Sequence, residues 1–493
     1  MNNQNLTKAT LHGAFWSYAS NYSGKLLVFI STAVLARLLL KEDFGIAAYA
    51  LVVIGLLEVL EGLGVGPAII YHRTDPKKLD TAFWMGLAVG FLLFGLTWFV
   101  AAPLAGTFFQ DARAVPITRA LGFEFVIGAF ALVHAATLTK KLAFGRKFIP
   151  DMSRSVSKGV ASIVLALLGF GAWSLILGHL VGVLVQTAAY WIVVPWRPAF
   201  HFQPKAARSF LSYGISIASI EALGVLILNM DYLVIGRFMG AAALGVYTLA
   251  FRVPELLVKQ FCNIVGNVTF PVYSQMRDNP QALKRSFLMT TRYLTMITIP
   301  LGLGLALVSG PFVLTFFTEK WAEAIPVMAA ISLYTLLRSL VFNAGSVYKA
   351  TGQPGLLSKL SFIQALVTVP ALWWVAVTYN TILAVAWMQV LLAFVSGMVK
   401  MVMAARLVNV PLPELAKTFY PSLAAGGLMT VVVLTTAQFL TNVIPLVELV
   451  VETAVGALVY GGAIFLLQPD DMRKAVTMLR SAFLPKAKAA ATD

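Results

Sequence analysis

The chain has 493 residues, of which 59% are hydrophobic and only 12% charged, and its mean hydropathy is +0.82. A soluble domain carries roughly 25% charged residues, so this composition excludes a water-soluble globular enzyme and makes the bilayer the solvent. The single cysteine, Cys262, excludes an intrachain disulfide, a cysteine-based zinc site and a redox pair. The net charge of +16 suits anionic lipid headgroups as well as nucleic acid.

Apolar stretches of the length that crosses a membrane, about 17 to 25 residues, fall at 15–39, 46–70, 81–102, 118–139, 155–170, 174–195, 209–236, 244–268, 290–317, 324–347, 356–378, 381–405, 418–439 and 446–467. They predict fourteen transmembrane helices and an all-α integral membrane protein. Ahead of the first stretch the residues are polar with no small-residue cleavage site, so the first span is expected to serve as its own insertion signal. The fifth and sixth stretches are divided only by the turn-prone Gly169-Phe170-Gly171-Ala172. Cys262 lies inside an apolar stretch and reads as inert core.

Three landmarks of the first half recur in order in the second. Arg37-x7-Gly45 returns as Arg237-x7-Gly245, Pro67-x5-Arg73-x2-Pro76 as Pro271-x5-Arg277-x2-Pro280, and Pro103-x3-Thr107-Phe108-Phe109 as Pro311-x3-Thr315-Phe316-Phe317. The separations step through 200, 204 and 208 residues. All sit at the ends of apolar stretches, so the duplicated unit is a bundle of membrane helices, the usual build of a transporter. This predicts an N-lobe over 1–200 (helices 1–6), a C-lobe over 201–409 (helices 7–12) dividing near 196–208, and helices 13–14 with a basic tail over 410–493.

With the N-terminus placed in the cytoplasm, most cations fall in cytoplasmic segments, including the run from Lys140 through Arg154 to Lys158, and Lys400. The opposite side holds only Arg37, Lys41, Arg113, Arg119, Arg237 and Lys320. That asymmetry fits both termini in the cytoplasm. Four cations remain within the spans: Lys25, Arg252, Lys259 and Arg338. A charge at mid-bilayer costs about 2.5 to 3.5 kcal/mol on insertion scales, so it faces a wet cavity or a partner. Ser17, Asn21 and Lys25 form a polar stripe on the first helix, and Ser212 and Ser216 stand at similar spacing on the seventh. Arg252, Glu255 and Lys259 at i, i+3 and i+7 share a helix face. Either Glu255 neutralises its neighbours, or the excess positive charge lines a cavity for an anionic ligand.

Glu58 and Glu61 share a face of the second helix, and Glu124 lies in the fourth. Carboxylates in low dielectric can carry a proton, so Glu58, Glu61, Glu124 and Glu255 are candidate coupling groups for H+ or Na+. The alternative is that the acids pair with Lys25 or cap bends. Asp231 reads as a structural pair for a neighbouring helix, and His134 and His179 as hydrogen-bonded core. No GxxxxGK[ST], HExxH or paired-cysteine motif occurs, so catalytic residues, metal ligands and resident cofactors are expected to be absent.

The segments "LARLLLKEDFGIAAYA" (35–50), "GFGAWSLILGHL" (169–180), "NMDYLVIGRFMGAAALGVYTLAFRVPELL" (229–257), "FPVYSQMRDNPQAL" (270–283) and "EKWAEAIPVM" (319–328) resemble the Wzx-type polysaccharide or lipopolysaccharide exporters, in particular their colanic-acid-exporter-like branch, within the multidrug/oligosaccharidyl-lipid/polysaccharide (MOP) flippase superfamily. The resemblance implies two pseudo-symmetric six-helix lobes around a central cavity, with two extra C-terminal helices. It further implies alternating access that carries an undecaprenyl-pyrophosphate-linked oligosaccharide across the bacterial inner membrane for exopolysaccharide, capsule or O-antigen assembly. Membrane lipids, a polysaccharide polymerase and a chain-length regulator are the partners it implies; nucleic acid is not among them. A MATE-like drug exporter would place an acidic residue in the first helix, where this chain has Lys25. A polytopic polymerase or ligase would need a substantial charged outer loop, and the longest here, near 103–117, carries only Asp111 and Arg113.

Overall fold

The computed structural model describes residues 23–61, 69, 76–141, 143–440, 443–470 and 472. Among the described residues every regular element is a helix. In chain order they are α1 (residues 23–38), α2 (Lys41–Glu61), α3 (Pro76–Leu96), α4 (Ala102–Phe109), α5 (Ala114–Leu121), α6 (Phe123–Lys140), α7 (Phe144–Leu167), α8 (Ala172–Val193), α9 (Pro204–Pro254), α10 (Gln260–Gln275), α11 (Pro280–Leu307), α12 (Ser309–Phe316), α13 (Ala324–Ala350), α14 (Pro354–Tyr379), α15 (Ile382–Leu407), α16 (Leu412–Phe439) and α17 (Pro445–Leu467). Ten helices among the described residues are long and apolar enough to cross a membrane, or eleven when the bent pair α11 and α12 is one span.

Local sequence explains where the helices stop and bend. Asn279 caps α11 by accepting from the Ala282 N–H at 3.1 Å, with Pro280 at the first helical position. The expected turn between the fifth and sixth stretches forms, with Gly169 and Gly171 both at positive φ. Gly240, at φ 79 and ψ −175, interrupts α9 between the seventh and eighth stretches, a conformation essentially restricted to glycine. The segment 140–158, expected to be a loop, is helical from Phe144 onward. Its cations and serines alternate with apolar positions on an amphipathic helix, which a hydropathy window starts counting too late.

The chain folds into two compact units. One comprises Met1–Ala250 with Ser361–Met388, the other Phe251–Leu360 with Gln389–Asp493. In the first unit the duplicated glycines meet. A methyl on Gly45 would strike the Ala241 carbonyl, and one on Gly245 the Lys41 carbonyl and the Gly45 amide nitrogen, so α2 and α9 touch backbone to backbone. Beside them Tyr49 stacks on Phe109 with ring centroids 4.2 Å apart, and Arg237 donates to the Phe108 carbonyl at 2.9 Å. The Arg237 landmark of the second repeat thus holds the Phe108-Phe109 landmark of the first. Asp231 accepts from Tyr247 at 2.7 Å, so its structural role lies across the Gly240 hairpin of its own element.

In both repeats the third span is irregular. A π-helical turn, Thr97–Ala101, joins α3 to α4, and the 208-residue offset maps it onto Leu305–Ser309, where α11 and α12 meet at 67°. A second π-turn, Glu255–Lys259, comes directly after Pro254. The second unit packs around Tyr273, Phe287, Tyr348 and Ala404, and around Met296, Met429 and Tyr460.

Candidate functional site

In the first unit the charged residues of α6, α7 and α8 form one connected network. A glycine seam sets its spacing. A methyl on Gly178 would collide with Ser162, and one on Gly182 would meet Lys158 Cβ at 2.9 Å and the Arg154 carbonyl at 3.1 Å, so α8 lies directly against α7. That approach carries Arg154 and Lys158 to His179 and Glu124. Arg154 Nη2 reaches Glu124 Oε1 at 3.0 Å, and His179 Nε2 reaches Glu124 Oε2 at 2.8 Å. Lys158 Nζ lies 3.0 Å from His179 Nδ1. An ammonium can only donate, so His179 accepts at Nδ1 and carries its proton on Nε2, from which it donates to Glu124. Arg154 Nη1 also donates to Gln186 at 3.2 Å, and Gln186 and Tyr190 both donate to Asp151 Oδ1, at 3.0 and 3.1 Å.

Glu58 and Glu61 stand beside this network. The Glu61 carboxylate lies 2.9 Å from where a methyl on Gly128 would be, one turn from Glu124 on α6, and the charges of Glu58, Glu61 and Glu124 act on one another. Lys25 is half-buried on α1, which packs on α7 with Gly24 against Ser155 Oγ at 3.0 Å. The structure therefore brings Lys25, Glu58, Glu61 and Glu124 into one region. It corrects the alternative partner for Glu124, which pairs with Arg154 and His179. It also adds Arg154 and Lys158, read from the sequence as cytoplasmic cations, to the same charged region.

The second unit arranges its cations differently. Arg338 sits near the middle of the 27-residue α13 and is exposed there. Tyr334 holds it from one turn away, accepting from Nη1 at 3.1 Å with the guanidinium carbon 5.4 Å over the ring. Lys400, on α15, is close enough for its charge and that of Arg338 to act on each other. Asn343 is buried structure: it accepts from Tyr273 and donates to Thr291 and the Phe287 carbonyl. The helix that was expected to carry Arg252, Glu255 and Lys259 on one face contains a π-turn, Glu255–Lys259, which departs from the ideal α-helical spacing on which that face was drawn. Ser17 and Asn21 lie outside the described residues, as do the side chains of Ser212, Ser216 and Lys259.

Between α4 and α5 Arg113 pairs with Asp111 at 2.9 Å and with Glu42 at 3.1 Å. The hydrogen bond from Arg113 holds the Asp111 carboxyl below its ordinary value, and the same bond raises the guanidinium.

A family described as "Polysaccharide biosynthesis protein" matches residues 34–326. The chain belongs to that family. This polysaccharide biosynthesis protein is similar to the teichuronic acid biosynthesis protein TuaB of Bacillus subtilis (strain 168), at 28% identity over 92% of this chain and 95% of the relative. It is also similar to the lipopolysaccharide biosynthesis protein WzxC of Escherichia coli (strain K12), at 27% identity over 74% of this chain and 75% of the relative. Its fold is that of a lipid II flippase, MurJ, solved in an inward closed conformation, with a TM-score of 0.73 at 15% identity over 92% of this chain and 99% of the neighbour.

In this family member, four residues that sequence patterns did not single out as site groups, Arg154, Lys158, His179 and Lys400, prove central to the charged regions. Two signals for the first three were present. Asp151, Arg154 and Lys158 stand at i, i+3 and i+7, and Gly178-x3-Gly182 marks a helix built for close approach.

Proposed function

We propose that this chain is a flippase of the bacterial inner membrane that moves a lipid-linked oligosaccharide, carried on an undecaprenyl-pyrophosphate anchor, from the cytoplasmic to the periplasmic leaflet by alternating access. It crosses the membrane fourteen times with both termini in the cytoplasm and works beside a polymerase and a chain-length regulator. Arg338 carries the reading. An exposed guanidinium halfway along an apolar, membrane-length helix costs about 2.5 to 3.5 kcal/mol if lipid surrounds it, and is stabilised if it faces water and a polyanionic headgroup. Its planar fork suits two phosphoryl oxygens, Lys400 adds a second positive charge, and Lys25, Arg252 and Lys259 supply the remaining intramembrane cations.

Ion coupling by H+ or Na+ is assigned to Glu58 and Glu61. Glu124 is less suited to it, because both of its carboxylate oxygens are already engaged by Arg154 and His179. The test is complementation of a flippase-deficient strain by Lys25→Ala, Arg252→Ala, Lys259→Ala and Arg338→Ala, with protein level measured alongside. The Arg338 variant is expected to be the most impaired. Full complementation by all four well-expressed variants would contradict an intramembrane cation site.

A further inference from the structure

Within the second unit α11, α12, α16 and α17 line a half-open cavity of about 400 Å³ whose walls are Pro300, Leu305, Phe312, Met429 and Val433 among other apolar residues. Among the described residues one ionisable group lines it. Glu452 of α17 is 2% exposed, and its Oε2 has no hydrogen-bond partner among the described residues. An unpaired carboxylate in apolar surroundings is among the costliest groups a membrane helix can bury. The neighbouring Thr453 also lines the cavity, so the one polar edge of an otherwise greasy chamber is concentrated on a single stretch of α17.

We propose that this cavity is a binding site for a lipophilic amine, a molecule with a hydrocarbon body and one protonated amino group. The hydrocarbon fills the apolar walls, and the ammonium donates to Glu452 Oε2 and neutralises it. No proposed step of oligosaccharide transport uses Glu452, so the site is additional to the flippase reading. A single-chain amine is the occupant that fits, and the headgroup of a two-chain aminolipid is not. Glu452 lies seven residues inside the start of α17 at Pro445, about 10 Å along the axis at 1.5 Å per residue, within the apolar stretch and away from the helix end where a headgroup would dock.

The probe is radiolabelled dodecylamine, bound to the purified full-length chain in nanodiscs of anionic lipid. Wild type is expected to bind it saturably, Glu452→Gln to bind it roughly tenfold more weakly or worse, and dodecanol, with the same chain and no charge, to compete poorly. Ala457→Phe keeps the carboxylate and fills the cavity, and it too should abolish binding while thermal unfolding shows an intact fold. Equal competition by dodecanol, unchanged binding in Glu452→Gln, or displacement of the probe by nanodiscs rich in phosphatidylethanolamine would each overturn the assignment.

Discussion

The two units arrange their charged side chains in opposite ways. In the first, Glu124, Arg154, Lys158 and His179 satisfy one another at distances of 2.8 to 3.0 Å behind a glycine seam. In the second, Arg338 stands exposed at mid-helix with an aromatic neighbour, and Glu452 is buried with one oxygen unbonded. Charge in a membrane helix is therefore not by itself a sign of ligand binding. A closed network ties helices together, whereas Arg338 keeps an exposed guanidinium held by Tyr334.

Removing Glu124 should break the closed network most severely. Glu124→Ala leaves Arg154 and His179 without their shared carboxylate, and truncating one partner of a buried pair costs about 3 to 5 kcal/mol. Thermal unfolding in detergent should show a large loss for Glu124→Ala, and a much smaller one for Arg338→Ala, since Arg338 is exposed. Equal losses would erase the distinction between the units.

Next in size is the glycine contact. Any side chain at Gly245 must displace the Lys41 carbonyl, and overpacking of this kind costs about 1 to 3 kcal/mol. Gly245→Leu should separate α2 from α9 and expose a cysteine placed at Ala48, which is buried in wild type, to a membrane-impermeant thiol reagent in a Cys262→Ala background. Unchanged labelling would show that the duplicated glycines merely permit packing and hold nothing closed.

The smallest effect belongs to the Asp111, Arg113 and Glu42 cluster, whose arginine is mostly exposed and whose pairing is screened by water. The Asp111 carboxyl is depressed in the folded chain. Its stabilisation is therefore present above the ordinary aspartate value of about 3.9 and lost as pH falls through the lower folded value. Asp111→Asn should be slightly less stable than wild type at pH 7, with the two converging in strong acid. A constant gap down to pH 3 would contradict the pairing.

The helical architecture was legible in the sequence because hydropathy and proline or glycine punctuation act locally. Two of the glycines on which the duplication was read, Gly45 and Gly245, lie against each other. The site was harder to read. Arg154 and Lys158 looked like loop cations because α7 is amphipathic over Phe144–Leu167, so its charged stripe pulled the apolar stretch to a late start. The face shared by Arg252, Glu255 and Lys259 was drawn on an ideal helix, and only Pro254 hinted that the next turn would widen. Glu452 drew no attention because its isolation depends on α11, α12 and α16, which lie far away in sequence.

The most direct test reconstitutes the purified chain into proteoliposomes and measures inward-to-outward movement of a fluorescent undecaprenyl-pyrophosphate-linked saccharide. Arg338→Ala is expected to slow flipping about tenfold or more, Arg338→Lys to restore part of the rate, and both to unfold at the wild-type temperature. Wild-type flipping by Arg338→Ala would contradict the claim that this exposed mid-span cation receives the anionic headgroup.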